Sequence, residues 1–207
     1  MGYYPVSVDL TGRPCLVVGG GAVALRKVAG LVEAGARVTV VSPSLTRSLL
    51  KLAAEAGLHW RPREYAHGDA AGFVLVMVAT ADRSVSAAVA AECRERGVLV
   101  NCADDPVRCD FILPSVFRRG AVMVAVSTGG TSPTMARLVR EELDALLPGD
   151  VAALTELVAA VRYALSQGGV SLDAARWRRA LDGELRSLVA AGRTTEAQAH
   201  LRERLGV

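Results

Sequence analysis

Gly19, Gly20 and Gly21, followed by Ala24, are the residues of this 207-residue chain whose type and spacing point most directly to chemistry. Gly19, Gly21 and Ala24 form G-x-G-x-x-A between an apolar β-forming run, Pro14 to Val18, and a stretch of helical periodicity that begins at Ala22. Each position has its own physical reason. Gly19 permits a tight turn, Gly21 lets the backbone approach a pyrophosphate, and Ala24 lets helix and strand pack closely. The helix N-terminus then aims unpaired N–H groups and a partial positive charge at the phosphates. A glycine triplet alone could simply end a strand. Its place inside a strand–helix–strand unit favours dinucleotide binding, and with it hydride transfer.

Further candidates lie where strands end. The second strand runs into Val41-Ser42-Pro43-Ser44 without the acid that NAD-binding units usually present to the ribose, so NAD and NADP both stay open. Ser42 or Ser44 could bond a ribose hydroxyl, or could cap a loop. Asn101-Cys102-Ala103-Asp104-Asp105-Pro106 follows a later strand at the carboxyl edge, where open α/β sheets place their chemistry. An acid there can face a nicotinamide; capping the turn before Pro106 is the other reading. Ser127-Thr128-Gly129-Gly130-Thr131-Ser132-Pro133 is a second strand-to-helix turn, rich in hydroxyls and suited to an anion. Arg137 and Arg140 share a face of the following helix and could bind carboxylates, although solvated surface arginines fit the same pattern. His59 and His67 have no spaced partners, and Cys15, Cys93, Cys102 and Cys109 form no C-x-x-C pair, so neither a metal site nor a disulfide framework is expected.

These residues need elements to hold them. The pattern predicts a helix from Ala22 to Gly35 and a strand over Arg37 to Val41. It then predicts an amphipathic stretch from Leu45 to Ala56, a short strand near Leu58 to Arg63, a buried strand over Phe73 to Thr80, a helix from Arg83 to Arg96 stopped by Gly97, and a strand over Val98 to Cys102. Alternating strands and helices imply a parallel sheet covered on both faces. Phe111 to Val116 and Ala121 to Thr128 read as two strands joined at Arg118, Arg119 and Gly120. Ser132 and Pro133 then cap a helix over Met135 to Leu147, and three further helices fill the chain from Asp150 to its end. The expected class is α/β, in three parts: a Rossmann-like NAD-binding domain over 1–112, a small α+β dimerisation region over 113–149, and a helical domain over 150–207.

Bulk properties narrow the rest. The longest apolar stretch, Phe73 to Ala79, has seven residues, against the roughly 20 of a membrane-spanning helix. The N-terminus has no signal-like core, so a soluble, cytoplasmic protein that binds no membrane is expected. A formal charge of +3 is too mild for a dedicated nucleic-acid binder and suits a polyanionic small molecule.

Taken together, VVGGGAVALRK (Val17 to Lys27), LVEAGARVTVVSP (Leu31 to Pro43), VATAD (Val78 to Asp82), VNCADDP (Val100 to Pro106), FILPS (Phe111 to Ser115) and MVAVSTGGTSPTMARLVREEL (Met123 to Leu143) resemble the precorrin-2 dehydrogenase family, also found as the N-terminal module of siroheme synthase. The resemblance covers residues 2 to about 150 and implies NAD as hydride acceptor. It places the cofactor at Ala22-Val23 and Pro43-Ser44, with contacts from Gly21, Thr80 and Asn101, and makes Asp104 catalytic. It further implies a tetrapyrrole substrate, a homodimer and, in some members, Fe(II) insertion into sirohydrochlorin. The eight carboxylates of precorrin-2 suit the turn at Ser127, Thr128, Gly129, Thr131 and Ser132, with Arg118, Arg119, Arg137 and Arg140 nearby. Thr128 stands where a serine is commoner, which puts the phosphoserine of such modules in doubt here. With no room for a methyltransferase module, the stand-alone form is expected. The expected chemistry is hydride loss from precorrin-2 to NAD with Asp104 as general base. A regulatory NAD(H)-binding module without catalysis, or a chelatase alone, are the competing classes.

Overall fold

A computed structural model describes residues 2–103 and 105–207. The first of two compact units ends at Leu113, and the second runs Pro114–Val207.

The first unit is a parallel sheet in the order β3-β2-β1-β4-β5, with β1 over Pro14–Val18, β2 over Arg37–Val41, β3 over His59–Arg61, β4 over Leu75–Val78 and β5 over Leu99–Cys102. Helices α1 (Ala22–Glu33), α2 (Arg47–Glu55) and α3 (Arg83–Arg96) connect it. Strand alternation assigns the two faces. Leu16, Val18, Val76, Val78 and Val100 pack with Val89, Ala90 and Cys93 of α3, whereas Cys15, Val17, Val38, Val40 and Met77 pack with Ala24, Val28 and Leu31 of α1 and Leu49 of α2. Both faces are covered, which is why the central strands β1 and β4 are apolar at every position. Fully burying each such Val or Leu contributes about 1.5–3 kcal/mol. The strand order reverses between β1 and β4, and ligands of open α/β sheets bind at the carboxyl ends around such a point.

The segment between β3 and β4 is pinned by two carboxylates. Asp69 takes Nη1 of Arg61 at 2.8 Å, Nη1 and Nη2 of Arg63 at 2.6 Å, and the Ala66 N–H at 2.9 Å. Glu92, buried on α3, accepts from the Tyr65 hydroxyl, from the Gly68 N–H at 2.9 Å and from Nε of Arg96 at 2.8 Å. Burial alone would push the Glu92 carboxyl up, and these donors together hold it below its usual value.

In the second unit β6 (Ser115–Arg119) and β7 (Val122–Val126) form an antiparallel hairpin. The sequence pattern had placed the first strand at Phe111 to Val116 and the turn at Arg118 to Gly120. The strand starts later because the Phe111 carbonyl is taken by the Asn101 side chain at 2.9 Å and Pro114 has no N–H for a ladder. Arg118 and Arg119 pair with Met123 and Val122, so the turn falls on Gly120 and Ala121, with Gly120 at φ +58°. Helix α4 (Pro133–Leu146) follows, with the Ser132 hydroxyl accepting the Met135 N–H and proline in the first turn. Four helices, not three, complete the chain: α5 (Val151–Gln167), α6 (Ala174–Ala180), α7 (Gly183–Ala190) and α8 (Thr194–Leu205). The extra break lies at Asp182, whose carboxylate caps α7 through the Leu185 N–H at 2.9 Å and also holds Nε2 of His200 at 3.1 Å. Leu157, Val161, Leu185, Leu201 and Leu205 form their common core.

Candidate functional site

The turn after β1 is shaped by crowding on one side and open space on the other. Gly19 has φ +122°, and a Cβ there would fall inside van der Waals contact with the Ala79 carbonyl oxygen just past β4. A Cβ on Gly20 would collide with the Ser44 carbonyl oxygen, because the segment after β2 lies directly on the turn and the Thr46 N–H bonds the Gly20 carbonyl at 2.9 Å. Gly20 therefore carries a constraint that the fingerprint does not assign to it. Gly21 is the opposite case: a Cβ there would meet nothing within 4 Å. That space lies over the N-terminus of α1, where no side chain caps the first turn, while Ala24 is fully buried beneath it. The result is a cradle of free N–H groups with backbone access, the geometry that a pyrophosphate requires.

Around this cradle the expected residues separate into exposed and buried sets. Ala22, Pro43 and Ser44 are exposed, and Val23 and Thr80 are half-buried. Thr80 Oγ1 accepts the Asp82 N–H at 3.2 Å at the start of α3. Ser42 is turned inward: it is 8% exposed, its hydroxyl donates to the Ser44 carbonyl at 2.8 Å, and its own carbonyl accepts Nε1 of Trp60 at 3.0 Å. Asn101 is likewise 8% exposed. Its Oδ1 accepts Nζ of Lys27 at 2.6 Å and its Nδ2 donates to the Phe111 carbonyl at 2.9 Å. Asp104 lies outside the described residues. Asp105 pairs with Arg108 within a short 3-10 turn over Pro106–Arg108.

Lys27 was not singled out from the sequence. A lysine on an amphipathic helix ordinarily reads as solvated, but here it is buried on α1. The nearby thiols are poor nucleophiles. Burial pushes Cys102 up to about 11, and Cys109 is raised for the same reason.

The second hydroxyl-rich turn belongs to the other unit and is largely satisfied internally. Thr128 Oγ1 donates to the Ser132 carbonyl at 3.0 Å and accepts the Ser132 N–H at 3.1 Å. The Thr131 hydroxyl donates to the Thr128 carbonyl at 2.7 Å, and Ser132 is the α4 cap. Ser127 Oγ accepts the Gly129 N–H at 3.1 Å, and Gly129 and Gly130 take φ +64° and +84°. Arg119 is committed to Asp144, at 2.9 Å, and to the carbonyls of Asp144 and Leu147. Arg137 and Arg140 both flank Glu141, at 3.7 and 2.8 Å, and Arg137 is the more exposed of the two. Among the described residues no group of three or more His, Cys, Asp or Glu side chains is placed to hold a metal ion, and no helix is long and apolar enough to cross a membrane.

A five-stranded parallel sheet with a strand order that reverses beside a glycine turn and an uncapped helix N-terminus defines a Rossmann protein of the NAD(P)-binding class. Residues 6–115 match a family model described as "Putative NAD(P)-binding", and residues 119–146 match one described as "Sirohaem biosynthesis protein central". The chain is 40% identical over 205 residues to siroheme synthase of Methylococcus capsulatus, covering 98% of this chain and 43% of that protein. It is 41% identical over 207 residues to siroheme synthase of Thioalkalivibrio sulfidiphilus, covering 99% of this chain and 42% of that one. The solved structure of SirC, precorrin-2 dehydrogenase, superposes with a TM-score of 0.76 at 25% identity, over 97% of this chain and all of that chain. The chain belongs to the siroheme synthase and precorrin-2 dehydrogenase family, and it spans less than half the length of the siroheme synthases that it matches.

Proposed function

We propose that this chain catalyses the NAD-dependent oxidation of precorrin-2 to sirohydrochlorin. The observation that carries the reading is the cradle at Gly21, an open approach to an uncapped helix N-terminus, in a chain similar over 97% of its length to a precorrin-2 dehydrogenase. Bound NAD+ supplies a two-electron acceptor for hydride. The protein's own part is to hold, orient and deprotonate. Gly19, Gly21 and the first-turn N–H groups at Ala22 and Val23 hold the pyrophosphate, and the edge formed by Ser42, Pro43 and Ser44 takes the adenosine ribose. Thr80 and Asn101 line the carboxyl edge on the other side of the turn. Asp104 accepts the proton as the substrate loses hydride, so that one hydride and one proton leave precorrin-2 and its conjugation extends.

Substrate carboxylates are assigned to the turn at Ser127, Thr128, Gly129, Thr131 and Ser132 and to Arg137. Within that turn the Ser127 hydroxyl accepts a bond and donates none among the described residues, which leaves its proton for a carboxylate oxygen. Fe(II) insertion into the product is a further activity that the resemblance brings, with Fe(II) as substrate. A homodimer is part of the same reading. It is supported by the apolar side chains that the second unit leaves exposed on β7 and α4, namely Met123, Met135, Leu138, Leu143 and Leu146. A cytoplasmic location is supported by three buried, unpaired thiols, Cys15, Cys93 and Cys102. The experiment is anaerobic incubation with enzymatically generated precorrin-2 and NAD+, following NADH and sirohydrochlorin together. Stoichiometric formation of both is expected. NAD binding without turnover would replace this reading with that of a regulatory module.

A further inference from the structure

Residues 105–110, which follow Asp104 in the sequence, lie on a segment whose base is closed at three levels. The Val100 N–H donates to the Asp110 carboxylate at 2.9 Å, and the Asp110 N–H returns to the Val100 carbonyl at 2.8 Å. The Cys102 N–H meets Sγ of Cys109 at 3.1 Å. Asn101 spans to the Phe111 carbonyl at 2.9 Å. From β4, Val76, Met77 and Val78 pair with Val100, Asn101 and Cys102, and the Val78 carbonyl takes the Ala103 N–H at 2.9 Å. A side-chain contact comes from the helix that starts at the glycine turn: Nζ of Lys27, buried on α1, donates to Asn101 Oδ1 at 2.6 Å.

We infer that Lys27 is a positioning residue, which with Asn101 clamps the loop carrying Asp104 to the helix whose N-terminus holds the cofactor phosphates. The inference rests on the proposed dehydrogenase reading and adds a residue and a role to it. A charge-assisted bond from an ammonium to a buried amide fixes both the height of Asn101 and, through its Nδ2, the far end of the loop. Small displacements of a reacting group cost rate far more than they cost binding. The clamp therefore acts on kcat, with the nucleotide site itself intact. It also puts a positive charge beside Cys102 and Cys109, whose thiols Lys27 draws downward against the larger effect of burial.

The test compares Lys27→Met with the double variant Lys27→Met/Asn101→Leu. Removing one partner of a buried hydrogen bond leaves the other unsatisfied, whereas replacing both by apolar groups is close to neutral for stability. We expect the single variant to lose thermal stability and the double variant to recover part of it, since Asn101→Leu also takes the Nδ2 donor from the Phe111 carbonyl. In both, kcat should fall about 10-fold or more and hydrogen exchange should speed up at residues 103–110, while in Lys27→Met the NAD+ dissociation constant stays within about 3-fold. Recovery of kcat together with stability in the double variant would reduce Lys27 to a structural role and overturn the inference. Loss of NAD+ affinity in step with kcat would overturn it too, by making Lys27 part of the nucleotide turn. If wild type itself fails to oxidise precorrin-2, the functional reading falls separately; unchanged exchange at 103–110 in the variants would still reject the clamp, and faster exchange would still support it.

Discussion

Gly20 and Gly21 are neighbours with opposite physical roles, and alanine distinguishes them. At Gly20 the new methyl group would collide with the backbone carbonyl of Ser44, so Gly20→Ala should destabilise the fold by roughly 1–3 kcal/mol, as other overpacked sites do. At Gly21 it meets no protein atom. Gly21→Ala should therefore keep the melting temperature within a few degrees while weakening NAD+ binding about 10-fold, equivalent to about 1.4 kcal/mol; calorimetric melting beside isothermal titration reads both. A second residue-scale prediction concerns acid. Hydrogen bonding from Arg63, aided by the Ala66 N–H, holds Asp69 down at about 2, below the unfolded value of about 3.9. The unfolded chain then binds the proton first, so this stabilisation is complete above pH ~4 and is lost as pH falls toward ~2. Urea midpoints should drop between pH 5 and pH 3 in wild type more than in Asp69→Asn, and equal drops would contradict the assignment. At this scale the tight turn at Gly19, with φ +122°, and the burial of Ala24 were legible in the spacing of the fingerprint. Gly20 and Lys27 were not, since the first is fixed by Ser44 and the second by Asn101, partners 24 and 74 positions away.

At the scale of elements, Asp182 is the residue on which the helical end of the chain turns. It caps α7 and also receives His200 at 3.1 Å and Arg204 at 3.2 Å from α8. Asp182→Ala should lower stability by about 1–2 kcal/mol, mostly through the lost cap, and Asp182→Asn should recover part of that. Equal melting of Asp182→Ala and wild type would contradict this role. The sequence made helices plain where the punctuation was strong. The helix over Arg83–Arg96 ends at Gly97, which adopts φ +67°, and Ser132-Pro133 opens α4 as its composition demands. It misled where composition was uniform or where bonding decided the outcome. Asp182-Gly183 breaks a run of Ala, Leu, Arg and Glu that reads as continuous helix. Phe111 to Leu113 is apolar enough for a strand, yet the Phe111 carbonyl is spent on Asn101 and Pro114 cuts the run off.

At the scale of the whole molecule, the exposed apolar face of β7 and α4 predicts self-association. Leu138 and Leu146, eight residues apart on α4, are 46% and 77% exposed, and exposed apolar surface of this kind marks association sites. Leu138→Arg/Leu146→Arg should sediment as a monomer at concentrations where wild type is a dimer, and an unchanged sedimentation coefficient would contradict an interface on this face. Oxidation of precorrin-2 with Asp104 as base is decided by anaerobic turnover of precorrin-2 with NAD+, comparing wild type with Asp104→Ala. Wild type should yield sirohydrochlorin and NADH, and the variant should melt normally and bind NAD+ normally but turn over at least ~100-fold more slowly, the lower end of what general-base catalysis supplies. Turnover by Asp104→Ala at the wild-type rate would contradict it.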